Sequence, residues 1–175
     1  SYTKENVNFC KQQLDEFYHK FKRIDRYIKR NAAKVQKQGY METAWFHRRR
    51  LFTEIFDPDL EPSRKSSILR MGNNVPVQGT AADYLKLAEV QMYNFIRMKG
   101  WNKIVDGYPL VRMMLSIHDE IIISAHNSIP YEEIIEMITK CMETPVDGAP
   151  PFFVQPARMD NWGEHSNDAC AMPIR

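Results

Sequence analysis

No apolar run in this 175-residue chain approaches the length of a membrane span, and its start shows no basic segment followed by an apolar one of the secretory kind. A membrane partner is therefore not expected. Cysteine is scarce: Cys10, Cys141 and Cys170 are odd in number and widely spaced. They make no zinc pattern and point to a reducing compartment, with the cytoplasm as the default. Internal repeats and low-complexity tracts are absent. What remains is an apolar fraction of 43% and a charged fraction of 26%. Those values belong to a globular chain able to bury a core, not to a disordered one.

The net charge of +2 hides an asymmetry. Residues 1–50 hold 13 Lys/Arg against 5 Asp/Glu, whereas residues 101–175 hold 5 against 11. A basic front and an acidic back suit a polyanion bound at one end, with the acids binding cations or simply solvated.

Residues 4–38 contain no Pro or Gly and carry apolar side chains at three- and four-residue spacings, which predicts helix with a break near His19 to Lys22. The aromatic positions in it are expected in the core, and Gly39 is placed to cap it. Lysine and arginine crowd its second half. Trp45 to Phe52 forms a short aromatic and basic ribbon containing Arg48, Arg49 and Arg50, a composition that suits phosphate contact and stacking or, more blandly, a solvated edge. Two prolines make residues 57–63 a loop. A second helical region runs from about Arg64 to Lys99, interrupted around Pro76 and Gly79. Its small residues Gly79, Thr80, Ala81 and Ala82 allow close approach by another backbone or a ligand. An amphipathic helix is expected from Tyr131 to about Met142, and a third strand at Phe152 to Gln155.

The centre of the chain is Leu115-Ser116-Ile117-His118-Asp119-Glu120-Ile121-Ile122-Ile123-Ser124. Two β-branched runs read as strands, and the polar triplet falls where the chain reverses. No Asn-Gly or Asp-Gly makes that turn. A rigid hairpin presenting carboxylates is what metal-dependent chemistry asks of a scaffold, while the plain alternative is a solvated turn. Arg70, Asn74 and Gln78 recur every four residues and so share one helix side, all three carrying hydrogen-bond donors. Asp83, His126 and His165 read as structural.

Four stretches together resemble the C-terminal part of the polymerase domain of family A DNA polymerases, the bacterial DNA polymerase I group. Arg70 through Asp83 (Arg-Met-Gly-Asn-Asn-Val-Pro-Val-Gln-Gly-Thr-Ala-Ala-Asp) is similar to the pattern R-x-x-x-N-x-P-x-Q-G-T-A-A-D. His118-Asp119-Glu120 resembles palm motif C, Asn161-Trp162 the family's closing pair, and Arg48-Arg49-Arg50 its G-R-R-R segment. The sequence departs from the family at His47, where Gly is usual, at Thr53, where Pro is common, and at Leu69, where Glu usually precedes the arginine.

The resemblance implies an α+β fragment. Its small antiparallel palm sheet has a central hairpin packed against helices. Residues 1–40 would end the fingers and residues 41–175 form the C-terminal half of the palm. It implies a DNA-directed DNA polymerase that extends a primer with deoxynucleoside triphosphates through two Mg2+ ions, Asp119 being a metal ligand and Glu120 a catalytic neighbour. Arg70, Asn74, Gln78 and His118, with Arg48, Arg49 and Arg50, would contact primer-template DNA. The first palm carboxylate and the triphosphate-binding helix lie upstream in the family. The chain is thus expected to need the N-terminal part of the polymerase and to be inactive alone. Half of a split polymerase and a noncatalytic DNA-binding remnant are the alternatives. Among related enzymes, the Gln-Gly-Thr-Ala-Ala-Asp run and Glu120 favour DNA over single-subunit RNA polymerases.

Overall fold

The structure, a computed structural model, describes residues 4–159, and the chain divides into two compact units at residues 1–80 and 81–175. Asn161-Trp162, His165 and Cys170 lie outside the described residues.

In the first unit, α1 (Lys4–Lys20) and α2 (Lys22–Gln38) meet at Phe21, the break expected near His19 to Lys22. Gly39 takes φ 69° and its N–H closes on the Val35 carbonyl, so the helix ends where glycine tolerates the left-handed region. The expectation that the aromatics of this region are core needs correction. Phe9, Phe17 and Phe21 are exposed, together with Val7, Leu14 and Ile24. Among the described residues α1 meets α2 and little else, so its apolar side has little to bury against. The core of this unit instead gathers Val35, Met41, Phe52, Ile68 and Val75.

A hairpin of β1 (Tyr40–Glu42) and β2 (Arg49–Leu51) pairs Tyr40 with Leu51 and Glu42 with Arg49, and a 3-10 turn follows at Thr53–Phe56. α3 (Pro62–Asn74) opens with Pro62 in its first turn, so the loop ends one residue before that proline. It crosses α2 closely: a Cβ added to Gly72 would lie 2.5 Å from Val35 Cγ2. The interruption expected at Pro76 is a π-helical turn over Val75–Gly79, after which α4 (Thr80–Met98) continues. Widening the helix by one residue is a common way to absorb a side chain that a regular turn rejects.

In the second unit Gly100 (φ 71°) follows α4, and a tight hairpin of β3 (Ile104–Val105) and β4 (Tyr108–Pro109) precedes the larger one. β5 (Val111–Ile117) and β6 (Glu120–Ala125) are antiparallel, with a register shift between Met113 and Leu115 that marks a bulge. α5 (Tyr131–Met142) turns Ile134, Met137 and Cys141 inward. They pack with Met92 and Ile96 of α4, Trp101, and Val111, Ile121 and Ile123 of the hairpin. The α+β class with small antiparallel sheets is therefore observed, and the hairpin lies on helices as expected. The third strand is not: residues 152–155 carry no strand, and each described sheet has two strands. Phe152 stacks on Tyr84 at 4.1 Å between centroids, which satisfies its side chain without a ladder.

Candidate functional site

The β5–β6 hairpin pairs Ile117 with Glu120, leaving His118 and Asp119 as a two-residue loop. His118 sits at φ 54°, a left-handed backbone that most side chains avoid and that histidine adopts more readily than bulky residues. Strain of about 1–3 kcal/mol persists at such positions when the surroundings impose it, and it concentrates at functional sites. In place of the Asn-Gly or Asp-Gly of a relaxed turn stands a triplet carrying an imidazole and two carboxylates. His118, Asp119 and Glu120 are all exposed, and the side of the hairpin bearing the two acids opens onto a concavity of about 1190 Å³. Apolar residues of β6 and α5, among them Ile121, Ile134 and Ile138, line its floor.

Two adjacent carboxylates fit one side of a magnesium site, because Mg2+ keeps several waters and takes one or two protein carboxylates together with substrate phosphates. They do not enclose an ion. Among the described residues no group of three or more His, Cys, Asp or Glu side chains could hold a metal.

In the first unit Arg70, Asn74 and Gln78 are all exposed, while Ile68, Gly72 and Val75 fill the opposite, buried side. Their four-residue spacing thus gives one donor face, carried through the π turn. Arg70 donates to Ser66 Oγ at 2.9 Å, which holds its guanidinium along the helix. The ribbon lies against the same helix. Arg50 reaches Met71 Sδ at 3.7 Å and covers the Phe52 ring at 5.6 Å. Arg49 donates to Glu42 at 2.9 Å and stacks on Tyr40 at 4.6 Å. The Glu42 hydrogen bond, then the nearby Tyr40 and Glu42 charges, raise the Arg49 pKa above its ordinary value. Arg48, Arg49 and Arg50 nevertheless remain exposed, so their faces are open to solvent anions.

The join between ribbon and helix was not foreseen as a unit. Buried Thr80 Oγ1 accepts the Ala44 N–H at 2.7 Å and donates to the Pro76 carbonyl at 2.7 Å. Thr43 N–H bonds the Arg48 carbonyl at 3.0 Å, and Thr43 Oγ1 accepts the Arg48 N–H at 3.0 Å. A Cβ on Gly79 would come 3.0 Å from Thr43 Cγ2. The small residues after Gln78 therefore admit another backbone, the β1–β2 loop. Thr80 is a positioning residue: it fixes the helix turn that carries Gln78 and the loop that carries Arg48. The only signal in the sequence was the run of small residues itself. Asp83 is buried, and His126 Nδ1 accepts the Ser128 N–H at 3.1 Å in the loop before α5.

The helix-borne donor face thus belongs to the first unit and the hairpin-borne acidic pair to the second, both on an α+β scaffold. The family model for DNA polymerase family A matches residues 3–164, and the chain belongs to that family. It is similar to the thermostable DNA polymerase I of Thermus thermophilus, at 32% identity over 85% of this chain and 16% of that protein. DNA polymerase I of Streptococcus pneumoniae is 29% identical over 89% of this chain and 16% of its own length. The fold also matches a solved structure, the POL domain of Pol1 from M. smegmatis in complex with DNA primer-template and dNTP. That match has a TM-score of 0.67 and 23% identity over 82% of this chain and 23% of that one. The chain thus spans about one sixth of the length of these curated relatives.

Proposed function

We propose that this chain is the segment of a DNA-directed DNA polymerase that supplies part of the palm. Residues 1–40 would end the fingers and residues 41–175 form the later half of the palm. The observation that carries the reading is the acidic pair at a two-residue, strained hairpin tip in a chain of family A. Asp119 would hold magnesium, with Glu120 beside it, and the ion when bound neutralises charge developing on the transferring phosphoryl oxygens. Asp119 stands in the two-residue loop between the paired ends of β5 and β6. Arg70, Asn74 and Gln78 offer donors to the minor groove, where every base pair exposes purine N3 or pyrimidine O2 acceptors. Donors there test the shape of a pair without reading its sequence, which is what a template-directed enzyme requires. His118 at the same tip as Asp119 would lie by the terminal pair, and Arg48, Arg49 and Arg50 would contact backbone phosphates. Primer-template DNA, deoxynucleoside triphosphates and the N-terminal part of the polymerase are the partners, in the cytoplasm.

The chain spans about one sixth of the length of its curated relatives and so supplies only part of such an enzyme; the 175-residue chain alone should not extend a primer. Primer extension by the purified chain, and by the same chain joined to a family A fingers and first palm segment, tests this. Extension by the joined protein only is the expected result; templated incorporation by the lone chain, free of contaminating polymerase, would overturn it.

A further inference from the structure

The cations of α2 are not spread around the helix. Seven of its 17 residues are Lys or Arg against one Asp. At 100° per residue, Lys22, Arg23, Arg26, Arg30, Lys34 and Lys37 fall within an arc of roughly 120°. All six are exposed, while Asn31 and Val35 on the other side are buried. The stripe therefore runs the length of the helix, about 25 Å at 1.5 Å per residue, with a positive charge at nearly every turn. Among the described residues none of the six forms an ion pair; the one salt bridge of the helix joins Lys29 to Asp25, at the margin of the stripe. Arg26 Nε bonds the Lys22 carbonyl one turn back, at 3.3 Å. Arg23, Arg26 and Arg30 frame an open concavity of about 550 Å³ with Tyr27, whose ring lies 5.9 Å from the Arg30 guanidinium.

This contrasts with the ribbon, where Arg49 has a carboxylate and Arg50 a sulfur and a ring to hold it. Six like charges in one arc build a positive potential along the helix, which attracts polyanions. A linear polyanion of regular spacing matches a linear stripe; a small anion would neutralise only one turn of it. We infer that the basic stripe of α2 is a track for the sugar-phosphate backbone of nucleic acid, separate from the β1–β2 ribbon and from the donor face of α3. The inference rests on the polymerase reading for the identity of the polyanion.

The test is salt-dependent binding of the 175-residue chain to a labelled duplex of arbitrary sequence. Three proteins are compared: the native chain, the triple variant Arg23→Gln, Arg26→Gln, Arg30→Gln, and a control with equal charge removed elsewhere, Lys11→Gln, Lys65→Gln, Lys103→Gln. Every phosphate that is no longer neutralised lowers the slope of log affinity against log salt by about 0.9, so the slope should drop by about 2.7 in the track variant and hardly at all in the control. Equal drops in both variants would reduce the effect to net charge and overturn the track. A native slope retained by the track variant would also overturn it, while leaving the polymerase reading intact. Absence of salt-sensitive binding by the native chain would likewise overturn the track, while the polymerase reading stands or falls on extension by the joined protein. Thermal melts of all three guard against misfolding, and Arg26→Gln alone, with an expected drop of about 0.9, serves if the triple variant is unstable.

Discussion

His47 sits at φ 51°, in the turn between β1 and β2, just before the Arg48-Arg49-Arg50 run. The backbone therefore asks for the left-handed conformation, and histidine supplies it at a cost that glycine avoids. Replacement by a β-branched residue should be worse: His47→Val is expected to be about 1–2 kcal/mol less stable than His47→Gly in urea unfolding. The donor face offers a sharper contrast. If Arg70 and Gln78 read the minor groove, Arg70→Ala should weaken DNA binding by about 1.5–3 kcal/mol and Gln78→Ala by about 0.5–1.5, on every sequence alike. Extension past a correct pair should fall more than nucleotide binding, because these hydrogen bonds align the primer end. Both side chains are exposed, so the melting temperature should barely move. A lowered melting temperature with normal extension would make them structural instead.

Elements show why some of this architecture was legible in the sequence. Long periodic segments were read to within a few residues, because spacing at three and four fixes a buried face wherever a neighbour exists. α1 breaks that logic, having the spacing but little to pack on. The β3–β4 hairpin was missed although Asp106-Gly107 announces it: Asp106 (φ 52°) and Gly107 (φ 83°) are both left-handed, as a two-residue hairpin turn requires. The run Phe152 to Gln155 reads as strand by composition alone, and composition cannot show that Phe152 stacks on Tyr84 instead. The α2–α3 crossing was equally invisible, since it depends on Gly72 meeting Val35. Gly72→Ala should cost about 1–3 kcal/mol by overpacking, and Val35→Ala in the same chain should recover part of it, giving a favourable coupling in a double-mutant cycle. Tyr84 ties α4 to the chain after α5. Its hydroxyl lies 2.9 Å from the Met142 carbonyl and 2.7 Å from that of Thr144, and can donate to one at a time. Burial, then the Glu143 charge, raises its pKa. The stabilisation is thus whole below the unfolded value of about 10 and vanishes as pH rises through the higher folded one. Tyr84→Phe should cost about 0.5–1.5 kcal/mol at neutral pH and flatten that alkaline limb, as read by unfolding across pH.

For the molecule as a whole, the family and its motifs were legible because chemistry-bearing residues stand in contiguous runs. Their support was not: Thr80, Thr43 and Gly79 act across distances that no local pattern reports. The central claim is that the hairpin tip supplies a metal-holding carboxylate to a polymerase. Single-turnover primer extension by a polymerase carrying this segment, native against Asp119→Asn, tests it most directly. Removing one charge from an exposed tip should leave DNA affinity essentially intact. The rate should fall about 10²–10⁴-fold, matching the several kcal/mol that metal-ion charge stabilisation contributes in the transition state. An Asp119→Asn enzyme that extends the primer at the native rate would contradict the account.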